Sequence, residues 1–276
     1  MKRILTVQDI SCVGKCSLTV ALPIISAMGI ECAILPTAVL STHTMFRGYT
    51  FRDLTDDLDG IIDHWVAEGL DFRAVYTGYL GSQRQLDIVS RLFDIHKDSY
   101  RVVDPVMADN GRLYPGFTEE FAAEMAKLCG KADIILPNMT EASFMLGVPY
   151  PGENYDEAYV RDMLKKLAAL GPRIAVLTGV SLEAGKLGAM AYDSEHDEYF
   201  YYCREHLPAA FHGTGDIFAS AFTGALVRDG DYKEALRVAA DYTVECIALT
   251  LANPNHVNYG VEFERAIPYL CERIGK

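Results

Sequence analysis

The 276-residue sequence predicts an α/β fold with a mainly parallel central sheet covered by helices on both faces. Three observations carry that prediction. Short apolar runs alternate with segments of helical periodicity. The runs are nearly continuous in apolar residues, as strands buried on both faces require. Several of them stop at a proline or at a polar residue.

The elements follow in chain order. Residues 4–7 form a buried strand, and 20–28 form a helix that stops at Gly29, a residue able to take the left-handed backbone. Residues 32–39 are a second strand, in which Pro36 calls for an edge or a bulge because it lacks an N–H. Residues 54–68 are amphipathic, and 74–78 are a third strand. Ser82 and Gln85 have capping-box spacing and open a helix to about His96. The fourth strand, 101–104, is stopped by Pro105, and the fifth, 133–136, by Pro137. Residues 174–178 are a sixth strand. Residues 188–192 and 198–203 read as a meander across the polar turn 193–197. Two helices, at about 214–228 and 232–252, close the chain. With no linker, repeat or low-complexity tract, one domain over 1–276 is the simplest organisation.

Composition narrows the function. Half of the residues are hydrophobic and 23% are charged, which excludes a disordered chain. The net charge of −13 repels a phosphate backbone, so general nucleic-acid binding is not expected, although a single nucleotide in a local electropositive site is compatible. No long uncharged apolar run suggests a membrane span. Seven scattered cysteines and no secretory leader point to free thiols in a reducing cytoplasm.

In open parallel sheets, ligands bind beyond the carboxyl ends of the strands. That rule selects Asp9 and Ser11 after the first strand, Thr44 after the second and Tyr79 after the third. It also selects Asp104, Asn138 and Thr178 after the fourth, fifth and sixth. The strongest motif is Gly213-Thr214-Gly215-Asp216 at a helix start. Small residues let a ligand approach the unpaired N–H groups of the first turn, which with the helix dipole make an anion site. Asp216 would repel an anion, which makes sense if it takes a proton from a hydroxyl attacking beside a phosphate; otherwise it only stabilises the helix start. Asn138 and Glu141 suit a helix cap, a nucleotide and magnesium shell, or both. Asp104 ahead of Pro105 suits magnesium or a turn. Gly14-Lys15 is half of a Walker A loop, but Asp9 and Cys16 stand where the full pattern needs Gly and Ser or Thr. No G-x-G-x-x-G follows the first strand. His43 is a loop residue, read as structural or solvated.

Taken together, these segments resemble the pyridoxal kinases of the ribokinase-like superfamily along essentially the whole chain. The resemblance rests on the first strand and its polar loop, Ser41-Thr42-His43-Thr44, and Thr77-Gly78-Tyr79-Leu80-Gly81-Ser82. It rests further on Asp104-Pro105-Val106-Met107, residues 133–141, and Gly213 to Asp216. It implies a three-layer α/β/α sandwich, usually dimeric, that transfers the γ-phosphoryl of ATP to the 5′-hydroxymethyl of a B6 vitamer. By resemblance, Asp216 is the general base and the N–H groups of Gly213, Thr214 and Gly215 are the anion hole. Asp104 and Glu141 would organise Mg2+ and phosphates, with a monovalent cation also conceivable there. Asn138 and Thr178 would face the nucleotide, and Asp9, Ser11, Thr44 and Tyr79 the vitamer. There are departures. Many members have Ser at the position of Asp9, Phe at that of Leu40 and Asn at that of Leu18. One bacterial branch has Lys where Thr178 stands. The vitamer preference is therefore open, and a carboxylate at Asp9 suits a ligand ammonium. Hydroxymethylpyrimidine kinases resemble the chain too, but commonly carry Cys at the position of Asp216. A non-catalytic B6-binding homologue would not need that aspartate.

Overall fold

The computed structural model describes residues 2–275. The chain opens with β1 (Arg3–Ser11), α1 (Leu18–Ala27), β2 (Glu31–Leu40), β3 (Phe51–Asp53) and α2 (Thr55–Ala67). It continues with β4 (Ala74–Thr77), α3 (Gln83–Ile95), β5 (Tyr100–Val103) and a small hairpin of β6 (Ala108–Asp109) and β7 (Arg112–Leu113). Next come α4 (Glu119–Cys129), β8 (Ile134–Ile135), α5 (Met139–Leu146) and α6 (Glu157–Ala168). The last part is β9 (Ile174–Val180), β10 (Lys186–Asp193), β11 (Glu198–Glu205), α7 (Thr214–Asp229), α8 (Tyr232–Leu251) and α9 (Phe263–Arg273).

Nine strands form one sheet in the order β11-β10-β9-β8-β5-β4-β1-β2-β3. The six strands from β9 to β2 are parallel, while β3 at one edge and the β10–β11 meander at the other run antiparallel. Alternation along the strands sends side chains to two cores. Leu5, Val75, Val103 and Ala175 pack with α2 to α6 on one face. Ile4, Tyr76, Val102 and Val176 pack with α1, α7, α8 and α9 on the other. This is the three-layer arrangement expected. After β2 the chain returns to the far side of β1 to place β4 there, so the topology switches at the carboxyl ends of β1 and β4.

Local structure follows the sequence, with four corrections. β1 continues to Ser11, so Asp9 and Ser11 lie inside the strand and not after it. A bulge between Gln8 and Ile10, opposite Pro36 to Val39 of β2, makes this possible and answers the proline. Thr178 likewise lies within β9, because β10 pairs along it and prolongs it. Ser82 caps α3 through the Gln85 N–H, but the Gln85 side chain reaches the Gly81 N–H and not that of Ser82. Its amide also donates to Thr37 and Thr55, which draws it inward. Finally, a third helix, α9, closes the chain; Pro268 sits inside it. α7 carries the richest motif, and its buried Phe222 anchors it under the sheet. Truncating Phe222 to alanine would cost about 3–5 kcal/mol.

Candidate active site

The site begins at the start of α7. Gly213 takes φ +80°, and a β-carbon there would lie 1.8 Å from the Lys15 carbonyl oxygen. Only glycine lets these two loops pack together. At Gly215 a β-carbon would meet nothing within 4 Å, so this side of the first turn is open. Its unpaired N–H groups and the helix dipole face that opening. Lys15, half of the motif that resembles a Walker loop, has its ammonium tied to Glu264 at 2.6 Å.

Asp216 stands on the same turn. The backbone N–H of Ser17 acts on its carboxylate as a weak hydrogen-bond donor that lowers its pKa. Ser17 holds φ +51°, which is uncommon for a residue with a β-carbon. Burial outweighs the hydrogen bond and the charge of Asp9 adds to it, so the pKa of Asp216 is pushed up to about 7. Tyr76, fully buried in β4, has its pKa raised by burial and then by the charges of Asp104 and Asp216.

A cleft of about 480 Å³ opens on one side of Asp216. It is lined by Asp104, Asn138, Glu141, Thr178, Gly213, Thr214, Gly215 and Asp216. The sequence-derived nucleotide and base residues thus share one cavity. Asn138 and Glu141 form a reciprocal capping box at the start of α5. Glu141 also accepts the Met107 N–H at 3.2 Å, and the Asn138 amide donates to the Ala108 carbonyl at 2.9 Å. The cap is therefore built into the cleft wall. Burial pushes Glu141 up to about 8 against three backbone N–H groups that pull it down. Burial, and then the charges of Glu141 and Asp216, hold Asp104 well above the usual carboxylate range. Five carboxylates line the cleft, adding Asp109 and Glu205, and no Lys or Arg does so among the described residues.

Asp9, Ser11 and Tyr79 lie outside this lining. Asp9 is 5% exposed and accepts the Ser11 hydroxyl at 3.2 Å. Its charge reaches Asp216, Cys16 and Tyr79, raising each of them. Thr44 is exposed on the loop after β2, and no hydrogen bond ties it to the other three among the described residues. The neighbouring His43 is the better connected residue. Its ring lies 4.9 Å from that of His212, which precedes Gly213 and lines the cleft. Burial and then His212 lower its pKa. The sequence reading passed over His212 and Ser17, and took Cys16 only as a break in the Walker pattern. All three are brought near Asp216 or His43 by residues distant in sequence.

Comparison with known proteins supplies the family. The family model described as phosphomethylpyrimidine kinase matches residues 22–262. Pyridoxal kinase PdxY of Granulibacter bethesdensis is 28% identical over 253 residues, 86% of each chain. The crystal structure of pyridoxal kinase from Lactobacillus plantarum is similar with a TM-score of 0.91 and 32% identity, covering 99% of this chain and 97% of that one. A Bacteroides thetaiotaomicron protein crystallised with pyridoxal also has a TM-score of 0.91, at 39% identity over 98% of this chain and 95% of that one.

Proposed function

Because the chain belongs to the phosphomethylpyrimidine kinase family, among its pyridoxal kinase members, we infer that it transfers the γ-phosphoryl group of ATP to the 5′-hydroxymethyl of a B6 vitamer. The observation that carries this reading is the position of Asp216. It stands on an open helix N-terminus, lines the acidic cleft and lies within the electrostatic reach of Asp9.

In this reading ATP enters the cleft, with Asn138 and Thr178 toward the nucleotide, and the vitamer enters on the side of Asp9, Ser11, Thr44 and Tyr79. Phosphoryl transfer has a loose transition state, so positioning and electrostatics supply most of the catalysis. Asp216 accepts a hydrogen bond from the 5′-hydroxyl and so aims it. An alcohol is a far weaker acid than a carboxylic acid, so its proton passes to Asp216 late, as the new O–P bond forms. A pKa of about 7 keeps Asp216 largely ionised just above neutrality and still basic enough to take that proton. The N–H groups of Gly213, Thr214 and Gly215 stabilise the charge on the transferring group.

A polyphosphate in a cleft with five carboxylates and no Lys or Arg needs accompanying cations. Carboxylate oxygens are the hard donors Mg2+ prefers, so the residues fit that ion. Asp104 would hold it directly and Glu141 through water. Bound there, Mg2+ offsets phosphoryl charge. A monovalent cation would act in the same sense. Exposed Met45, Phe46, Tyr49 and Phe51 around β3 support the expected homodimer, which light scattering would test. Seven unbridged thiols fit the cytoplasmic location expected.

The test is an ADP-release assay with Mg-ATP against pyridoxal, pyridoxamine, pyridoxine, hydroxymethylpyrimidine and small sugars. Turnover of B6 vitamers above the rest is the expected result. Turnover of the pyrimidine or a sugar alone would overturn the acceptor. Tight vitamer binding without ADP release would overturn the kinase reading.

A further inference from the structure

Asp9 is a buried carboxylate for which the protein supplies no cation. It is 5% exposed and accepts the Ser11 hydroxyl at 3.2 Å; Ser17, Ser11 and its own backbone N–H pull its pKa down, but burial outweighs them and raises it. No Lys, Arg or His pairs with it among the described residues. The titratable groups within its electrostatic reach are Cys16, Tyr79 and Asp216, all of which are neutral or negative. Outside the acidic cleft, where Asp104 and Glu141 also lack a cation, this chain treats buried carboxylates differently. Asp193 is met by Arg173 and His196, and Asp241 by Arg204 and Arg273.

An ionised carboxylate out of water is strongly disfavoured unless a cation and hydrogen bonds satisfy it. Neutral hydroxyl and backbone donors are only half of such a site. Asp9 also shares its surroundings with Asp216, which must be ionised to act as a base, and the two charges oppose each other. A neutral occupant leaves that repulsion in place. An occupant with an ammonium group removes it and completes the bonding of Asp9.

We propose that Asp9 is a specificity-determining residue whose carboxylate is the counter-charge for an ammonium group on the acceptor, which makes pyridoxamine the favoured vitamer. The inference rests on the B6-kinase reading above. Pyridoxamine carries a primary amine where pyridoxal carries an aldehyde and pyridoxine a hydroxyl. The three are otherwise alike, so the selection is by charge. The ammonium donates to Asp9, whose remaining acceptor positions keep the Ser11 hydroxyl. With Asp9 neutralised, Asp216 is freer to ionise and accept the 5′-hydroxyl proton.

The experiment measures kcat/KM for the three vitamers in wild type, Asp9→Asn and Asp9→Ser, with thermal melts to confirm folding. Wild type should favour pyridoxamine over pyridoxine by at least about tenfold, the scale of one charge-assisted hydrogen bond. Both variants should lose most of that ratio. A wild-type ratio near one, or an unchanged ratio in a folded variant, overturns the proposal and leaves the kinase reading standing. The wild-type ratio decides even if both variants fail to fold. Absence of turnover with every vitamer overturns the kinase reading itself, and this inference with it.

Discussion

Replacing Asp216 by asparagine separates the two things its position does. The substitution keeps the shape and one acceptor for the Ser17 N–H, but removes the charge and the base. The pKa of this group stands at about 7 instead of the ordinary 3.8. Each tenfold change in an equilibrium is about 1.4 kcal/mol, so the ionised form burdens the fold by roughly 4 kcal/mol at full ionisation. The sign follows from the raised pKa. The penalty is absent below about pH 3.8, grows as the pH climbs, and is complete above about pH 7. Ligand-free Asp216→Asn should therefore melt above wild type by several degrees at about pH 8.5, and the gap should nearly close at about pH 4. In the ADP-release assay the same variant should lose at least about 10²-fold in turnover. Wild-type kcat/KM should rise with pH through about 7, as the base ionises. Turnover within about tenfold of wild type would refute the base. A melting gap that does not widen with pH would refute the electrostatic account.

Three other substitutions test other parts of the structure. Gly213→Ala places a β-carbon against the Lys15 carbonyl at a left-handed φ; it should lose at least about 2 kcal/mol in denaturant titration, along with most turnover. Wild-type-like stability would show that the loop packing is looser than described. Glu141→Gln keeps one acceptor for the two backbone N–H groups it caps, but not the charge. The Mg2+ concentration for half-maximal ADP release should rise at least about tenfold, and an unchanged Mg2+ dependence removes Glu141 from the metal shell. Asp241→Ala strips the shared partner of Tyr202, Arg204 and Arg273, which joins β11, α8 and α9. The guanidinium groups are partly exposed, so the loss should be about 3 kcal/mol, at the low end for buried pairs. A melting temperature unchanged by that variant would make the network ornamental.

The parallel strands were legible because burial on both faces forces near-continuous apolar runs, as in residues 174–178. Gly213 to Asp216 was legible because an anion-binding helix start needs small residues in a fixed local order. α4 and α6 went unassigned although Thr118 and Asp156 cap them ahead of acidic first turns. Their cues were present but carried no chemistry. α9 was hidden by Pro268, which reads as a breaker until tertiary packing overrides it.

The sequence by itself determined the fold class, the chain order of the parallel strands, and which side chains near their carboxyl ends could do chemistry, because periodicity and turn residues are local properties. Only the tertiary structure decided how those residues combine. It carried β1 through Asp9 by a bulge against β2 and brought the Ser17 N–H to Asp216. It gathered five carboxylates into a cleft without a lysine or arginine among its described lining, and it left Asp9 buried with no cation paired to it among the described residues. Charge, burial and hydrogen bonding at each of these groups depend on neighbours distant in sequence, and pKa and specificity follow from those neighbours.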